Sequence, residues 1–155
     1  MTVDTESGIV ASVDPQNTGR SFSYFEHDAD MGIIGRGATL EAAFESAAQA
    51  TFAVMADPQS LQGESQEASL SFTEDDVEFA LVRWLNALLG AAREQGLVFR
   101  RFALTREGSR WSGRAWGEPW RENMERGTEV KGATLTMLSV RQADGAWEAR
   151  CVIDV

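Results

Sequence analysis

In two stretches between Leu40 and Gln95 the apolar residues of this chain recur every three or four positions, whereas from Leu97 onward they recur every second one. That switch of period, from 3.6 to 2, places helices in the first part and a run of consecutive strands in the second. "TLEAAFESAAQATFAVMAD" predicts a first helix, with Thr39 as N-cap, Leu40, Ala43, Phe44, Ala47, Ala48, Phe52 and Met55 on one face, and Asp57 before Pro58 as the stop. "TEDDVEFALVRWLNALLGAAREQG" predicts a second, with Thr73 as cap and Val77, Ala80, Leu81, Trp84, Leu85 and Leu88 as its buried stripe. Glu74, Asp75 and Asp76 suit the positive end of that helix dipole.

The strands follow from alternation and turn residues. "SFSYFEH" and "MGIIGRG" precede the first helix, "QEASLSF" lies between the two, and "LVFRRFALT", "RWSGRAWGE", "TEVKGATLTMLSV" and "AWEARCVIDV" follow the second. The segment 128–140 changes parity between Val130 and the pair Leu135 and Met137, which a bulge near Gly132 reconciles. In the last strand Trp147, Ala149, Cys151 and Ile153 share the core face, and Glu148, Arg150, Val152 and Asp154 the other. The expected class is α+β: two helices packed on one face of a single mixed, mostly antiparallel sheet. Residues 1–20 are polar and lack aromatics, so a flexible tail is expected there, followed by a single domain over 21–155.

Charge and composition narrow the chemistry. The 155 residues carry 24 acidic against 14 basic side chains, a net charge of −10, which is the wrong sign for holding nucleic acid by phosphate neutralisation. One cysteine and one histidine cannot supply a disulfide framework or a structural zinc site. With no apolar run long enough to span a bilayer and no signal-like N-terminus, a cytoplasmic protein with no membrane partner is expected. Gly32, Gly35 and Gly37 match neither a dinucleotide fingerprint nor a phosphate loop, and are expected to permit a bulge or a close backbone approach. A serine-histidine-aspartate hydrolase would have to use His27, and no serine sits in a nucleophile elbow. A paired-carboxylate glycosidase stays open on counting alone. A hard-cation site is better supported, because Asp28, Asp30 and Asp154 offer short oxygen ligands and the carboxylate of Val155 adds another.

"FEHDADMGIIGRGATLEAAFESAAQATFAVMAD" resembles the opening signature of the archease family, in which a strand ends in His-Thr-Ala-Asp and an alanine-rich helix follows. "GRAWGE" is similar to that family's Trp-Gly-Glu strand, "GTEVKGAT" to its Glu-Val-Lys-Ala-Thr segment and "VIDV" to its ending, so the resemblance spans residues 21–155. The resemblance implies an accessory protein, not an enzyme: an activator of the RtcB-type RNA-splicing ligase that promotes ligase guanylylation and repeated turnover in tRNA splicing or RNA repair, meeting RNA and GTP only through the ligase. It also implies a divalent cation, calcium ahead of magnesium, held by Asp30 and Asp154 with Val155 beside them. Asp28 stands where the family commonly has threonine, and either joins the site or points to solvent. Glu129, Lys131 and His27 become candidates for the surface that meets the ligase, His27 also for a structural hydrogen bond beside the site. The alternatives are a stand-alone metal-dependent hydrolase and a chaperone-like interaction module.

Overall fold

The structure is a computed structural model that describes residues 21–155; the tail expected over 1–20 lies outside the described residues. The element order is β1 (Phe22–His27), β2 (Asp30–Gly37), α1 (Leu40–Met55), β3 (Gln66–Thr73), α2 (Val77–Gln95), β4 (Leu97–Glu107), β5 (Arg110–Pro119), β6 (Gly132–Ala133), β7 (Ser139–Ala143) and β8 (Ala146–Asp154). The α+β class and both helices are as expected, but the strands form two sheets where one was expected. A five-stranded sheet runs β1-β2-β8 and ends on β6 and β7, which both pair with β8; a three-stranded sheet runs β3-β5-β4. Every pairing is antiparallel, so the sheets are not mixed.

The helix α1 sits between the two sheets. Gly35 and Gly37 lie directly beneath it: a Cβ on Gly35 would fall 2.4 Å from the Ala43 carbonyl oxygen and the Ala47 nitrogen, and one on Gly37 would fall 2.5 Å from the Ala42 side chain. The helix therefore rests almost backbone to backbone on β2, as the glycine pattern led us to expect for a close approach. On its other side Glu45 of α1 accepts a hydrogen bond from the Leu104 amide on the outer edge of β4. The helix thus lies between one sheet's face and the other sheet's edge. A continuous core nevertheless joins them, running from Ile33 and Ile153 through Phe44 and Ala47 to Trp84, Phe99 and Trp111.

Aromatic residues fix the second helix. Trp84 of α2 donates its indole N–H to the Phe44 carbonyl of α1 at 2.9 Å and covers Gly113 of β5, where a Cβ would meet its ring at 2.3 Å. Trp111 is stacked between Phe44 and Phe72, with interplanar angles of 3° and 7°, and donates to the Glu74 carbonyl at 2.9 Å. Thr39 caps α1 as expected, through its hydroxyl and the Ala42 amide. The α2 cap is a correction: Asp76, not Thr73, accepts from the Glu78 and Phe79 amides, because Thr73 is still the last residue of β3. Asp57 does not itself close α1, which ends on Ala56; it caps the short 3-10 turn Pro58–Ser60.

The strand expected over 128–140 is a second correction. Gly127 and Thr128 donate their amides to the Met55 and Val54 carbonyls at the end of α1. Arg93 of α2 donates to the Val130 and Lys131 carbonyls, and Asn86 both donates to and accepts from Ala133. Backbone groups used in this way cannot also form a ladder, so only Gly132–Ala133 and Ser139–Ala143 are extended, with a turn at 135–138 between them. Leu135 and Met137, expected on a buried face, are exposed, and no bulge at Gly132 is needed.

Two glycine substitutions separate packing from propensity. Gly35→Ala should destabilise the fold by about 1–3 kcal/mol, since backbone atoms of α1 have no room to yield. Gly90→Ala, at an exposed helical site with nothing within 4 Å of the new Cβ, should stabilise it by about 1 kcal/mol. Denaturant midpoints of both variants check the pair, and a neutral Gly35→Ala would overturn the close seating.

Candidate functional site

The β1–β2 hairpin turns through Asp28 and Ala29, with Asp28 in the left-handed region at φ 52° and His27 paired with Asp30 at its mouth. Asp and Asn tolerate this conformation better than other side chains, which accounts for an acidic residue at the apex without any further role. The Asp28 carboxylate is 92% exposed at the apex of the turn. The contact of the His27 ring is with that same carboxylate, Nδ1 to Oδ2 at 3.9 Å, too long for the structural hydrogen bond expected beside the site.

Asp30 and Asp154 come together through strand register. β2 pairs antiparallel with β8 from Gly37↔Trp147 to Met31↔Ile153, and one further step sets Asp30 opposite Asp154. The Asp30 carboxylate accepts a hydrogen bond from the Val155 amide at 3.3 Å, which ties the two strand ends across 125 residues of sequence. On the far side of β8, Gly132 is the partner of Asp154, and the Lys131 amide donates to the Asp154 carbonyl at 2.7 Å. His27, Asp30, Asp154 and Gly132 thus stand side by side across one end of the five-stranded sheet.

Alternation sets the face. Ile33, Cys151 and Ile153 enter the main core, while Phe25, Ile34 and Val152 form a separate apolar cluster on the opposite side. Asp30 and Asp154 have the parity of Ile34 and Val152, so they project with that smaller cluster, away from both helices. Asp154 is exposed and Asp30 partly so. Together with main-chain oxygen of Val155 they form an oxygen-only donor set, the chemistry a hard cation takes. Among the described residues no group of three or more His, Cys, Asp or Glu side chains could hold a metal ion, so a cation here would complete its shell with water or a partner's groups.

The remaining candidates fall elsewhere. Glu129 and Lys131 are both exposed, but in the irregular segment between β5 and β6 instead of on a strand face; Lys131 adjoins Asp154 through its amide, whereas Glu129 lines a cavity of about 340 Å³ with Met55, Trp120 and Arg126. Cys151 is buried in β8, and burial pushes its thiol up to about 12, so it is closed to nucleophilic chemistry.

Two buried carboxylates were missed by sequence reasoning. Glu118, the last residue of "GRAWGE", accepts from the Gln62 and Gly63 amides and pairs with Arg121 at 3.0 Å, stitching β5 to the loop before β3. Burial pushes its carboxyl up, and the Arg121 guanidinium with the two amides more than offsets this, holding it below the usual carboxylate range. Glu148 is surrounded by Arg36, Arg141 and Arg150. For Glu148 the signal was a charged residue within an alternating strand, which by itself reads as a solvated position; Glu118 also ends the family-like "GRAWGE", which marks the residue but not its burial or its partners.

Comparison with known proteins identifies the family and the fold. Residues 22–155 match the model of the Archease protein family. A protein archease of Sulfolobus acidocaldarius is 36% identical over 137 residues, covering 86% of this chain and 98% of the relative. The solution structure of protein 1598 of Methanobacterium thermoautotrophicum superposes with a TM-score of 0.78 at 32% identity, covering 87% of this chain and 99% of that one. A crystal structure from Thermotoga maritima described as an archease, possible chaperone, has a TM-score of 0.60 at 20% identity over 84% of this chain and 94% of its own, and shares the fold.

Two variants probe the site's supports. Because the Glu118 carboxyl is lowered in the fold, its stabilisation is present above the unfolded glutamate pKa of about 4.3 and is lost as pH falls through the lower folded value. Glu118→Gln should therefore cost on the order of 1 kcal/mol at pH 7 and flatten the acid limb of stability against pH, read by denaturant unfolding from pH 3 to 7. Asp30→Ala should leave the thermal midpoint within a few degrees of the parent while speeding amide exchange at Val155; unchanged exchange there would contradict the Asp30 tie.

Proposed function

We infer that this chain, which belongs to the archease family, is a metal-binding activator of an RtcB-type RNA-splicing ligase, promoting guanylylation of the ligase and its repeated turnover in tRNA splicing or RNA repair. The observation that carries this reading is the register of β2 against β8, which brings two aspartates from opposite ends of the sequence side by side at the exposed end of a sheet. A structural role explains only half of it: Asp30 secures the end of β8, while Asp154 is exposed and its carboxylate has no hydrogen bond or ion pair among the described residues.

In this reading Asp30 and Asp154 hold a divalent cation, calcium ahead of magnesium, with main-chain oxygen of Val155 as a further donor. When bound, such an ion supplies charge neutralisation for the triphosphate during guanylyl transfer. The protein's own residues position that charge: the β1–β2 turn and the ends of β6 and β8 form a narrow tip that can enter a partner's cleft, with Lys131 beside Asp154 on the contact surface. Chemistry on RNA and GTP belongs to the ligase, a division supported by the closed state of Cys151. RNA and GTP are then met through the ligase, as the net charge of −10 favours.

The test is a guanylylation assay with labelled GTP, resolving the ligase adduct on a gel with and without the protein. The parent should raise the rate of adduct formation, and Asp154→Asn should abolish that rise together with calcium binding by titration calorimetry, while keeping the parent's circular dichroism. Equal adduct rates with and without the protein would overturn the activator reading; full stimulation by Asp154→Asn would overturn the role of the metal.

A further inference from the structure

Moving along the face of the five-stranded sheet turned away from the helices, starting from the acidic tip, the side chains fall in rows set by register. His27, Asp30, Asp154 and Gly132 make the first row, and Phe25, Gly32 and Val152 the second. Ser23, Ile34, Arg150 and Ser139 make the third, and Arg36, Glu148 and Arg141 the fourth. Arg150 lies four residues from Asp154 on β8, a separation of about 13 Å. The face is therefore acidic at one end, apolar in the middle and basic at the other.

The basic end is short of acceptors. Among the described residues Glu148 alone faces three guanidiniums: Arg141 and Arg150 share its Oε1 at 3.2 and 3.4 Å, and Arg36 stands 3.9 Å from Oε2. Exclusive pairs elsewhere in the molecule are closer, 2.8 Å for Arg83 with Glu74 and 2.6 Å for Arg114 with Glu67. Two positive charges stay unbalanced in a chain whose net charge is −10. Arg150 Nε is buried with no hydrogen-bond partner, the single such side-chain atom among the described residues. A buried charged donor without an acceptor costs on the scale of a lost hydrogen bond, so Glu148 does not satisfy the guanidiniums gathered around it. Ser23, already bonded to Arg36 at 3.1 Å, and Ser139 add hydroxyls in the same row as Arg150.

We propose that Arg36, Arg141 and Arg150, arranged around Glu148 on the face of the five-stranded sheet turned away from the helices, form a binding site for a phosphate monoester, which would enter on the side of the more open Arg36 and Arg141. Guanidinium forks match phosphate oxygens in pairs, and a tetrahedral anion supplies several acceptors at once where one carboxylate supplies two oxygens. The site stands apart from the aspartates of the tip, so it does not rest on the ligase reading. The phosphate can come from a free nucleotide or from the end of an RNA strand, and the chemistry of recognition is the same.

Inorganic phosphate, a nucleoside monophosphate and a short RNA carrying a terminal phosphate are titrated into the full chain, with backbone amide shifts as the readout. Shifts should saturate and map to Ser23, Arg36, Arg141 and Arg150. Arg141→Gln, at a largely exposed side chain, should weaken binding about tenfold. Glu148→Gln should strengthen it, because the competing carboxylate is neutralised; a purely structural arginine cluster gives no such opposite signs. Arg114→Gln, on the other sheet, should change nothing. Preference for RNA over the mononucleotide, or the reverse, identifies the source and upholds the site. Absence of saturable shifts with all three probes, or equal affinity in the Arg141 and Glu148 variants, overturns it.

Discussion

The antiparallel pairing of β2 with β8 holds both the fold and its candidate site. These are the inner strands of the five-stranded sheet, and they join the start of the described chain to its end. One face of the pair carries Ile33, Cys151 and Ile153 into the main core and the other carries Ile34 and Val152 into a second cluster, so both faces resist slippage. A slip of one residue would exchange the two faces entirely. The same register that buries the core therefore fixes Asp30 against Asp154, and core burial offsets the repulsion between the two carboxylates.

Around that pair the helices are held by small residues and by backbone groups. Gly35 and Gly37 let α1 approach β2 more closely than any residue with a Cβ would permit. The segment from Gly127 to Ala133 then satisfies the carbonyls at the end of α1 and receives Arg93 and Asn86 from α2 before entering the sheet beside Asp154. This routing makes the tip continuous with the helix layer: Lys131 reaches Asp154 because the residues before it are anchored on the helices. Position at the tip is thus set by packing some distance away, as a preorganised contact surface requires.

Charge is distributed on the same logic. The acidic excess of the chain is concentrated neither on the face of the five-stranded sheet turned away from the helices nor in the core. That face separates Asp30 and Asp154 from Arg36, Arg141 and Arg150 by an apolar row containing Phe25 and Val152. Phe25 lies flat against Gly32 and under Arg150, whose guanidinium is 5.7 Å from the ring centroid, so the apolar row also supports the basic one. A surface built in this way orients an approaching charged partner before contact.

Local signals in the sequence determined the elements: two helices, the strands on either side of them, the Thr39 cap, the core face of the last strand with Cys151, and the glycines as points of close approach. Each of these depends on periodicity or on the chemistry of one residue, which neighbours in sequence suffice to reveal. The two aspartates were legible as ligand types, and the family signature singled them out, but their adjacency was not, since it depends on pairing between strands more than a hundred residues apart. Tertiary structure alone decided that the sheet would be two, because which strands pair depends on contacts between segments distant in sequence, which periodicity does not reveal. It alone decided that the segment 128–140 would serve helix ends in place of a ladder, and that Asp76, freed by the end of β3, would cap α2. Glu118 and Glu148 were hidden for the same reason: an alternating strand shows which residues share a face, while the burial of that face and the arginines gathered around it are set by elements that arrive from elsewhere in the chain.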